Sequence, residues 1–303
     1  MQPKFRLATD ADIESTYQVY LHANEELNRR IGRMVDLQKH TLPTRALAVR
    51  RNALHYDQER FWVAEFDNAI GGFGLAIRRQ SFWYLAALHV LPEFQGLGVG
   101  GTLVRRCLGD LCSGDRKVPL LTTSDSANLA STGLYFRFGL GPQTSILQLQ
   151  GQPRSFGQNR VTLRKTELTA GTDAFGQFDR IVFGETRPED HHCWAMVPSM
   201  VPYLVYDHDR TVGYIYIDRD GALGPAAVER SDLLSPTISA AFEACAADHS
   251  TELQLRIPSV ARECLGALFA AGFNNITEIR LLLTSSEFGH FDKYLLSGAD
   301  ALL

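Results

Sequence analysis

The chain has 303 residues, of which 45% are hydrophobic and 21% are charged, a balance typical of globular proteins rather than disordered or fibrous ones. Its formal net charge of -4 and its pI near 6.1 argue against the broad basic surface with which proteins bind nucleic acid. The length allows one large domain or two domains of roughly 150 residues each.

Neither the start of the chain nor any later segment predicts insertion into a membrane. Residues 1–20 are too polar for a signal peptide, and no apolar run approaches the roughly 20 residues of a membrane-spanning helix. The five cysteines include no CxxC pair, and the adjacent His191, His192 and Cys193 lack the spacing of a zinc site. We therefore expect a soluble, cytoplasmic protein without a metal, and the sequence leaves open a monomer or a homodimer.

The N-terminal half predicts a series of strands, two of them joined as a hairpin by a turn at Asp67-Asn68. Helical spacing of apolar residues follows the first strand and recurs twice. The predicted strands are 4–8, 61–66, 70–78, 83–90 and 118–123, and the predicted helices begin near residue 10 and cover 99–111 and 129–136.

The C-terminal half repeats this order after a polar stretch at 148–159, which predicts a linker. A second likeness is that Ala271-Gly272-Phe273 parallels Phe138-Gly139-Leu140 about one domain length earlier. We therefore predict two tandem domains, 1–150 and 160–303, with chance similarity as the alternative. The predicted helices of this half are 172–183, 236–247 and 260–273, and the predicted strands are 203–207, 212–218 and 252–257.

A glycine-rich loop between the strand at 83–90 and the following helix is the strongest chemical signal. Glycines let backbone N–H groups approach an anion closely, and the start of a helix adds its dipole. The loop lacks Gly-Lys-Ser/Thr, which argues against a P-loop, and no acidic residue follows on a second strand, which disfavours a Rossmann dinucleotide site. Glycines that only build a tight turn remain the alternative.

The loop resembles the acetyl-CoA signature of the GCN5-related N-acetyltransferases, Gln/Arg-x-x-Gly-x-Gly/Ala, through Gln95, Gly98 and Gly100. The resemblance extends over about residues 5–149. It implies an α/β fold with two tandem acyl-CoA N-acyltransferase domains, each a mixed, mostly antiparallel sheet flanked by helices. It also implies a catalytic first domain and a degenerate second domain without a cofactor site, since 160–303 contains no comparable loop.

The same resemblance implies the residues that contact acetyl-CoA. The pantetheine arm would pair with the backbone of Leu88, His89 and Val90, and Asn128 would hydrogen-bond the coenzyme. Tyr135 matches the position of the acid that protonates the departing thiolate, with simple packing against the sheet as the alternative. The diphosphate would lie on the backbone amides of Gln95, Gly96, Leu97, Gly98, Val99, Gly100 and Gly101.

The general base is left open, because residues 83–85 carry no carboxylate where some family members have a glutamate. Candidates are His22, Glu25, Glu26 and His89, each of which also fits a surface charge or a packed histidine. The implied activity is direct transfer of an acetyl group from acetyl-CoA to a primary amine of a small molecule, with a peptide or protein as the second choice. A non-catalytic acyl-CoA-binding or sensing module is the alternative.

Overall fold

A computed structural model describes residues 2–33, 42–112, 118–152, 160–167, 174–247, 252–273 and 275–297. The chain divides into two compact units. The first comprises Met1–Gly141 with Thr284–Ser286, and the second comprises Pro142–Leu283 with Glu287–Leu303. Each unit has a mixed, mostly antiparallel sheet flanked by helices, which confirms the predicted fold class.

The first unit is built from five strands and four helices within the described residues. They are β1 (Lys4–Leu7), α1 (Ile13–Arg30), α2 (Thr44–Tyr56), β2 (Phe61–Phe66), β3 (Ala69–Arg78), β4 (Trp83–Val90), α3 (Val99–Leu108), β5 (Leu120–Asp125) and α4 (Leu129–Arg137). The strands pair in chain order, antiparallel from β1 to β4 and parallel between β4 and β5.

Short side chains bring α3 close to the sheet of the first unit. Gly74 of β3 faces α3, and a Cβ at this position would lie 2.9 Å from the Cys107 sulfur. Apolar residues of α3, including Val99 and Leu103, share one buried cluster with Ala64 of β2. Because this packing fixes the axis of α3, it also fixes the position of the helix start, where the glycine-rich loop ends.

The second unit repeats the pattern with a larger sheet. Its elements are β6 (Gly141–Gly151), β7 (Thr162–Lys165), α5 (Gly176–Phe183), α6 (Pro188–Ala195), β8 (Met200–Asp207), β9 (Arg210–Asp218), β10 (Ala222–Val228), α7 (Leu234–Ala247), β11 (Leu253–Pro258), α8 (Arg262–Ala271), β12 (Asn275–Thr284) and β13 (Tyr294–Leu295). The strand order is β12-β6-β11-β10-β9-β8-β7, and β13 pairs with β10. As in the first unit, three antiparallel strands, β8 to β10, are followed by a helix and a parallel strand, β11.

The predicted linker at 148–159 is wrong for its first residues, which belong to β6. Gln148 pairs with Arg256 and Gln150 pairs with Gln254, so β6 is an antiparallel neighbour of β11. Leu149, between the two glutamines, is fully buried. The polar residues therefore mark one face of an alternating strand. Residues 153–159 lie outside the described part of the chain. The compact units divide at the start of β6, between Gly141 and Pro142.

Candidate functional site

The candidate site begins where two neighbouring strands of the first unit separate. β4 runs parallel to β5, but the two pair only from Trp83 to Leu85. At the last paired position, Thr122 Oγ1 donates a hydrogen bond of 2.9 Å to the Leu85 carbonyl. The β3–β4 register then shifts, so that Ala86 forms a bulge. No described strand pairs with the β5-facing edge of β4 at residues 86–90, and this stretch is the open edge of β4.

Alternation along β4 decides which backbone groups face the open edge. The N–H of Leu91 donates to the Gly71 carbonyl at 2.8 Å, so the backbone of Leu91 points towards β3. Successive residues of a strand direct their N–H and C=O groups to opposite edges. The backbone groups of Val90 and Leu88 therefore point to the open edge, whereas those of His89 turn to β3.

The side chains of β4 point alternately to two faces of the sheet. Val90 is in the apolar cluster with Leu103 of α3, and Leu88 packs against that cluster. The His89 ring points the other way and meets the edge of Tyr20 in α1, with 5.0 Å between ring centroids. The helix that follows the glycine-rich loop and the His89 ring therefore lie on opposite faces of β4.

The loop after β4 turns through two glycines with a left-handed backbone. Gly96 and Gly98 have φ angles of 78° and 79°, which other residues rarely adopt. α3 begins at Val99, and its hydrogen-bond ladder starts with Thr102 N donating to the Gly98 carbonyl at 3.1 Å. The N–H groups of residues 99–101 consequently have no acceptor within the helix and are oriented to bind an anion.

Gln95 uses its side chain within the protein. Its Nε2 donates to the Val90 carbonyl at 2.9 Å, and its Oε1 accepts a hydrogen bond of 3.2 Å from Arg30 Nη1. The side chain thus ties the loop to the end of β4 and leaves the Val90 N–H as the donor at the open edge. Leu97, at the tip of the loop, is 65% exposed, so what it offers this site is its backbone.

α4 carries the two predicted site residues beyond the loop. Asn128 is the N-cap residue of α4, and its Oδ1 accepts a hydrogen bond of 3.1 Å from Ser131 N. Leu134 lies 3.5 Å from the position that a Cβ on Gly100 would take, which puts α4 beside the start of α3. The next residue, Tyr135, is 5% exposed. The structure therefore brings the helix of Tyr135 next to the glycine-rich loop.

The candidate bases differ in their surroundings. His22 and Glu25 are exposed on α1. Glu26 accepts hydrogen bonds from Arg29 and Arg30, which lower the pKa of the Glu26 carboxyl to about 2. Such a carboxylate is a poor proton acceptor at neutral pH. Of the four candidates, His89 belongs to the strand that carries the open edge.

An ion pair at the end of β5 is absent from the sequence-based predictions. Arg33 Nη1 donates to Asp125 Oδ2 at 2.7 Å, and Asp125 Oδ1 accepts from Ala127 N at 2.8 Å. Both carboxylate oxygens are thus engaged, and they tie the segment after α1 to the strand opposite the open edge. The available signal was a carboxylate at the end of a parallel strand, but its partner lies 92 residues away in sequence.

Two buried cysteine thiols contribute little chemistry to this site. Cys107 and Cys264 are buried, and burial raises the pKa of both thiols, that of Cys264 to about 12. Neither is therefore a thiolate at neutral pH.

Across the described ranges, no three His, Cys, Asp or Glu side chains are grouped to hold a metal ion. None of the helices in that part of the chain is long and apolar enough to cross a membrane.

The matching position of the second unit is filled by the chain itself. β10 runs parallel to β11 but pairs with it only at Ala222 and Leu223. Beyond that point β13 pairs with β10, and Leu296 N donates to the Arg256 carbonyl of β11 at 3.0 Å. A Cβ on Gly224 would clash with the Leu296 carbonyl oxygen. The C-terminal strand therefore occupies the gap where β10 and β11 separate.

Comparison with known proteins gives one family and several similar folds. Residues 22–140 match the family model described as Acetyltransferase (GNAT) family. No curated protein matches the chain. A provisionally assigned acetyltransferase from Pyrococcus horikoshii has a TM-score of 0.74 at 16% identity, and the match covers 100% of this chain and 96% of that chain.

Two further solved structures are similar over most of both chains. A GCN5-related N-acetyltransferase from Sphaerobacter thermophilus has a TM-score of 0.63 at 14% identity, covering 93% of this chain and 95% of that chain. A tandem GNAT protein from the clavulanic acid biosynthesis pathway has a TM-score of 0.59 at 10% identity, covering 93% and 98%. At these identities the similarity establishes the fold and says nothing about a substrate.

Proposed function

We propose that the first unit, in which residues 22–140 match the model of the GCN5-related N-acetyltransferase (GNAT) family, transfers an acetyl group from acetyl-CoA to a primary amine. The amine would belong to a small molecule, with a peptide or protein as the second choice. The observation that carries the proposal is the open edge of β4, which leads directly into the glycine-rich loop and the first turn of α3.

The backbone supplies most of the proposed cofactor site. The pantetheine arm would pair with Leu88 and Val90 at the open edge, in the way that an added strand pairs with a sheet. The diphosphate would bind the amides from Gly96 to Gly101, among which those of residues 99–101 have no helical acceptor. The predicted Gln95 amide is already used, since it donates to the Pro92 carbonyl at 3.2 Å. Asn128 would offer its Nδ2 to the coenzyme, because its Oδ1 already caps α4.

The chemistry then needs few side chains. The amine nitrogen attacks the thioester carbonyl while the Val90 N–H stabilises the developing oxyanion. As the C–N bond forms and the C–S bond breaks, Tyr135 protonates the CoA thiolate. The amine loses its proton to water or to His89, which lies on the strand that carries the open edge. No covalent enzyme intermediate is required, which agrees with the buried, protonated thiols.

A calorimetric titration with acetyl-CoA tests the cofactor site. We expect micromolar binding to the native protein and a loss on the order of 100-fold in Gly98→Asp/Gly100→Asp, because two carboxylates would repel the diphosphate. The matched control is Gly184→Asp/Gly266→Asp in the second unit. Gly184 has a φ of 80° and Gly266 is helical, and the space beyond both is open. Failure of the native protein to bind, or equal loss in the control, would overturn the proposal.

A non-catalytic acyl-CoA-binding module is the second candidate. The observation in its favour is the shortage of a ready proton acceptor, since Glu26 and Asp125 are both held in ion pairs with arginines. Such a module would bind acetyl-CoA in the same titration but release no CoA in the presence of amines.

A further inference from the structure

The first unit contains a buried guanidinium whose hydrogen-bond partners are neutral. Arg50 of α2 is 7% exposed. Its Nε donates to Thr16 Oγ1 at 3.0 Å, and its Nη1 donates to the Ala46 carbonyl at 3.1 Å. Neither hydrogen bond uses Nη2, and no Asp or Glu of the described residues forms an ion pair with Arg50.

Comparison with other buried arginines makes this arrangement informative. Arg60, Arg79 and Arg187 are also buried, and each of them forms an ion pair with an aspartate. A buried charge without such a partner costs several kcal/mol, and neutral hydrogen bonds recover only part of that cost. Among these four buried arginines, Arg50 is therefore the one without an ion-pair partner in the described part of the chain, and Glu14 attracts its charge only from beyond ion-pair distance.

Aromatic contacts only partly offset this cost. The Arg50 Cζ lies 5.6 Å from the Tyr17 ring centroid and 5.5 Å from that of Phe73. Cation–π contacts of this kind recover only part of the cost of burying the charge. Burial lowers the pKa of Arg50 to about 10, so the side chain is still protonated at neutral pH. A positive charge thus persists inside the unit.

The same rings connect Arg50 with the strand where transfer would occur. The Phe73 ring stacks on His89 with 5.4 Å between centroids, and the edge of Tyr20 meets His89 at 5.0 Å. Tyr17 in turn stacks on Tyr20 at 5.8 Å. Tyr17, Tyr20, Phe73 and His89 form what we call the aromatic cluster. It extends from Arg50 to the end of β4 on the face opposite α3. The proposed cofactor contacts lie at the open edge and at the start of α3. We therefore place the acceptor on the face of β4 that carries the aromatic cluster.

We propose that the acceptor carries an anionic group, a carboxylate or a phosphate, and that Arg50 binds this group while the amine reaches the thioester. This inference rests on the proposed acetyl transfer. A planar guanidinium with Nη2 still unused suits such a group, because it can donate two parallel hydrogen bonds. Arg50 would then be a specificity-determining residue.

Matched pairs of amines test the inference in a CoA-release assay with acetyl-CoA. Lysine with cadaverine tests a carboxylate, and glucosamine 6-phosphate with glucosamine and phosphoethanolamine with ethanolamine test a phosphate. We expect kcat/KM to be at least about 10-fold higher for the anionic member of a pair, the scale of one ion pair in a partly desolvated site. The pair with the larger ratio identifies the group.

Variants of α2 then assign the preference to Arg50. In Arg50→Met the ratio should fall towards one, mainly through a higher KM for the anionic amine, while Arg50→Lys keeps the charge and should retain part of the ratio. Arg51→Met, on the exposed side of α2, is the matched control and should keep the full ratio. A ratio near one in the native protein, or an unchanged ratio in Arg50→Met, would overturn the inference.

Two measurements separate this inference from the proposed function and from a purely structural role. If acetyl-CoA binds and amines react without an anionic preference, the inference fails alone; if acetyl-CoA does not bind, the proposed function fails. Thermal unfolding addresses the structural role. Removal of an uncompensated charge should leave the melting temperature of Arg50→Met unchanged or higher, whereas a lower temperature with an unchanged ratio would mean that Arg50 only supports the fold. If Arg50→Met does not fold, the native ratio and Arg50→Lys decide.

Discussion

The side-chain amides of Gln95 and Asn128 hydrogen-bond to the protein's own backbone. Gln95 Nε2 holds the Val90 carbonyl, and Asn128 Oδ1 caps α4. Both residues therefore shape the candidate site by fixing the backbone around it. At the residue scale the proposal gives chemical roles to the Val90 N–H, to Tyr135 and, as an alternative to water, to His89.

Replacement of Tyr135 by phenylalanine tests the proposed acid. The ring stays, so the packing of this 5% exposed residue on α4 should be preserved. We expect kcat to fall by about 100-fold, within the range that a positioned proton donor contributes, and the Kd for acetyl-CoA to stay unchanged. Steady-state kinetics and calorimetry measure the two quantities. Tyr56→Phe, at an exposed tyrosine of α2, is the control, and full activity in Tyr135→Phe would exclude the acid role.

Single residues of the site could be predicted from the sequence only where the backbone conformation requires a particular residue type. Gly96 and Gly98 stand out because their positive φ angles favour glycine. Arg50 and Asp125 could not be predicted, because their significance depends on partners from distant segments. Nothing in the sequence of α2 distinguishes the buried Arg50 from the exposed Arg51 beside it.

Among elements, β2 and β4 were predicted with their observed bounds, and α3 with its observed start. These segments combine long apolar patterns with clear turn residues, so local sequence was sufficient. α6 and β13 were not predicted, because the contacts that stabilise them come from segments that are distant in the sequence. β13 has only two residues, and it is a strand because β10 offers it an edge.

α6 illustrates how buried polar contacts override local sequence in the second unit. Arg187, directly before α6, pairs with Asp179 of α5 at 3.1 Å, and both are fully buried. His191 Nε2 lies 2.7 Å from Asp179 Oδ2, and the Tyr214 hydroxyl donates to Asp179 Oδ1 at 2.8 Å. Asp179 thus joins α5, α6 and β9, and His191 serves this network.

Stability of the second unit should therefore depend on Asp179 and on pH. Desolvation opposes ionisation of Asp179, but Arg187 and His191 outweigh it and lower the pKa of the carboxyl to about 2. Since the unfolded value is about 3.9, the carboxylate stabilises the fold above about pH 4, and the contribution is lost as the pH falls towards 2. At pH 7 we expect Asp179→Asn to lower the free energy of unfolding by about 3 kcal/mol, because a buried arginine loses its partner.

Urea titrations at pH 7 and pH 3, followed by circular dichroism, measure this effect. The difference between the native protein and Asp179→Asn should be smaller at pH 3. Asp209→Asn is the control, because the Asp209 side chain is fully exposed. A free-energy change in Asp179→Asn at pH 7 as small as that in the control would contradict the prediction.

At the scale of the whole molecule, each unit contains a pair of parallel strands that separate after a few residues. The gap between the two strands differs in content between the units. In the first unit, the gap between β4 and β5 has a glycine-rich loop at its end. In the second unit, the gap between β10 and β11 holds β13, and residues 221–226 lack a Gln-x-x-Gly-x-Gly sequence. The family model matches residues 22–140, which lie in the first unit. We propose that the second unit does not bind acyl-CoA, because the chain itself takes the place of the pantetheine arm.

This difference between the units predicts that each chain binds one acetyl-CoA. The calorimetric stoichiometry of the native protein should be one, and Gly98→Asp/Gly100→Asp should remove that single site instead of halving the binding. Two sites in the native protein would mean that β13 leaves the gap when acyl-CoA enters. The Leu296 carbonyl lies against Gly224, and Leu296 N donates a hydrogen bond to the Arg256 carbonyl. Displacement of β13 would break this hydrogen bond. A second site should therefore be weaker than the first, and the titration would resolve it as a separate phase.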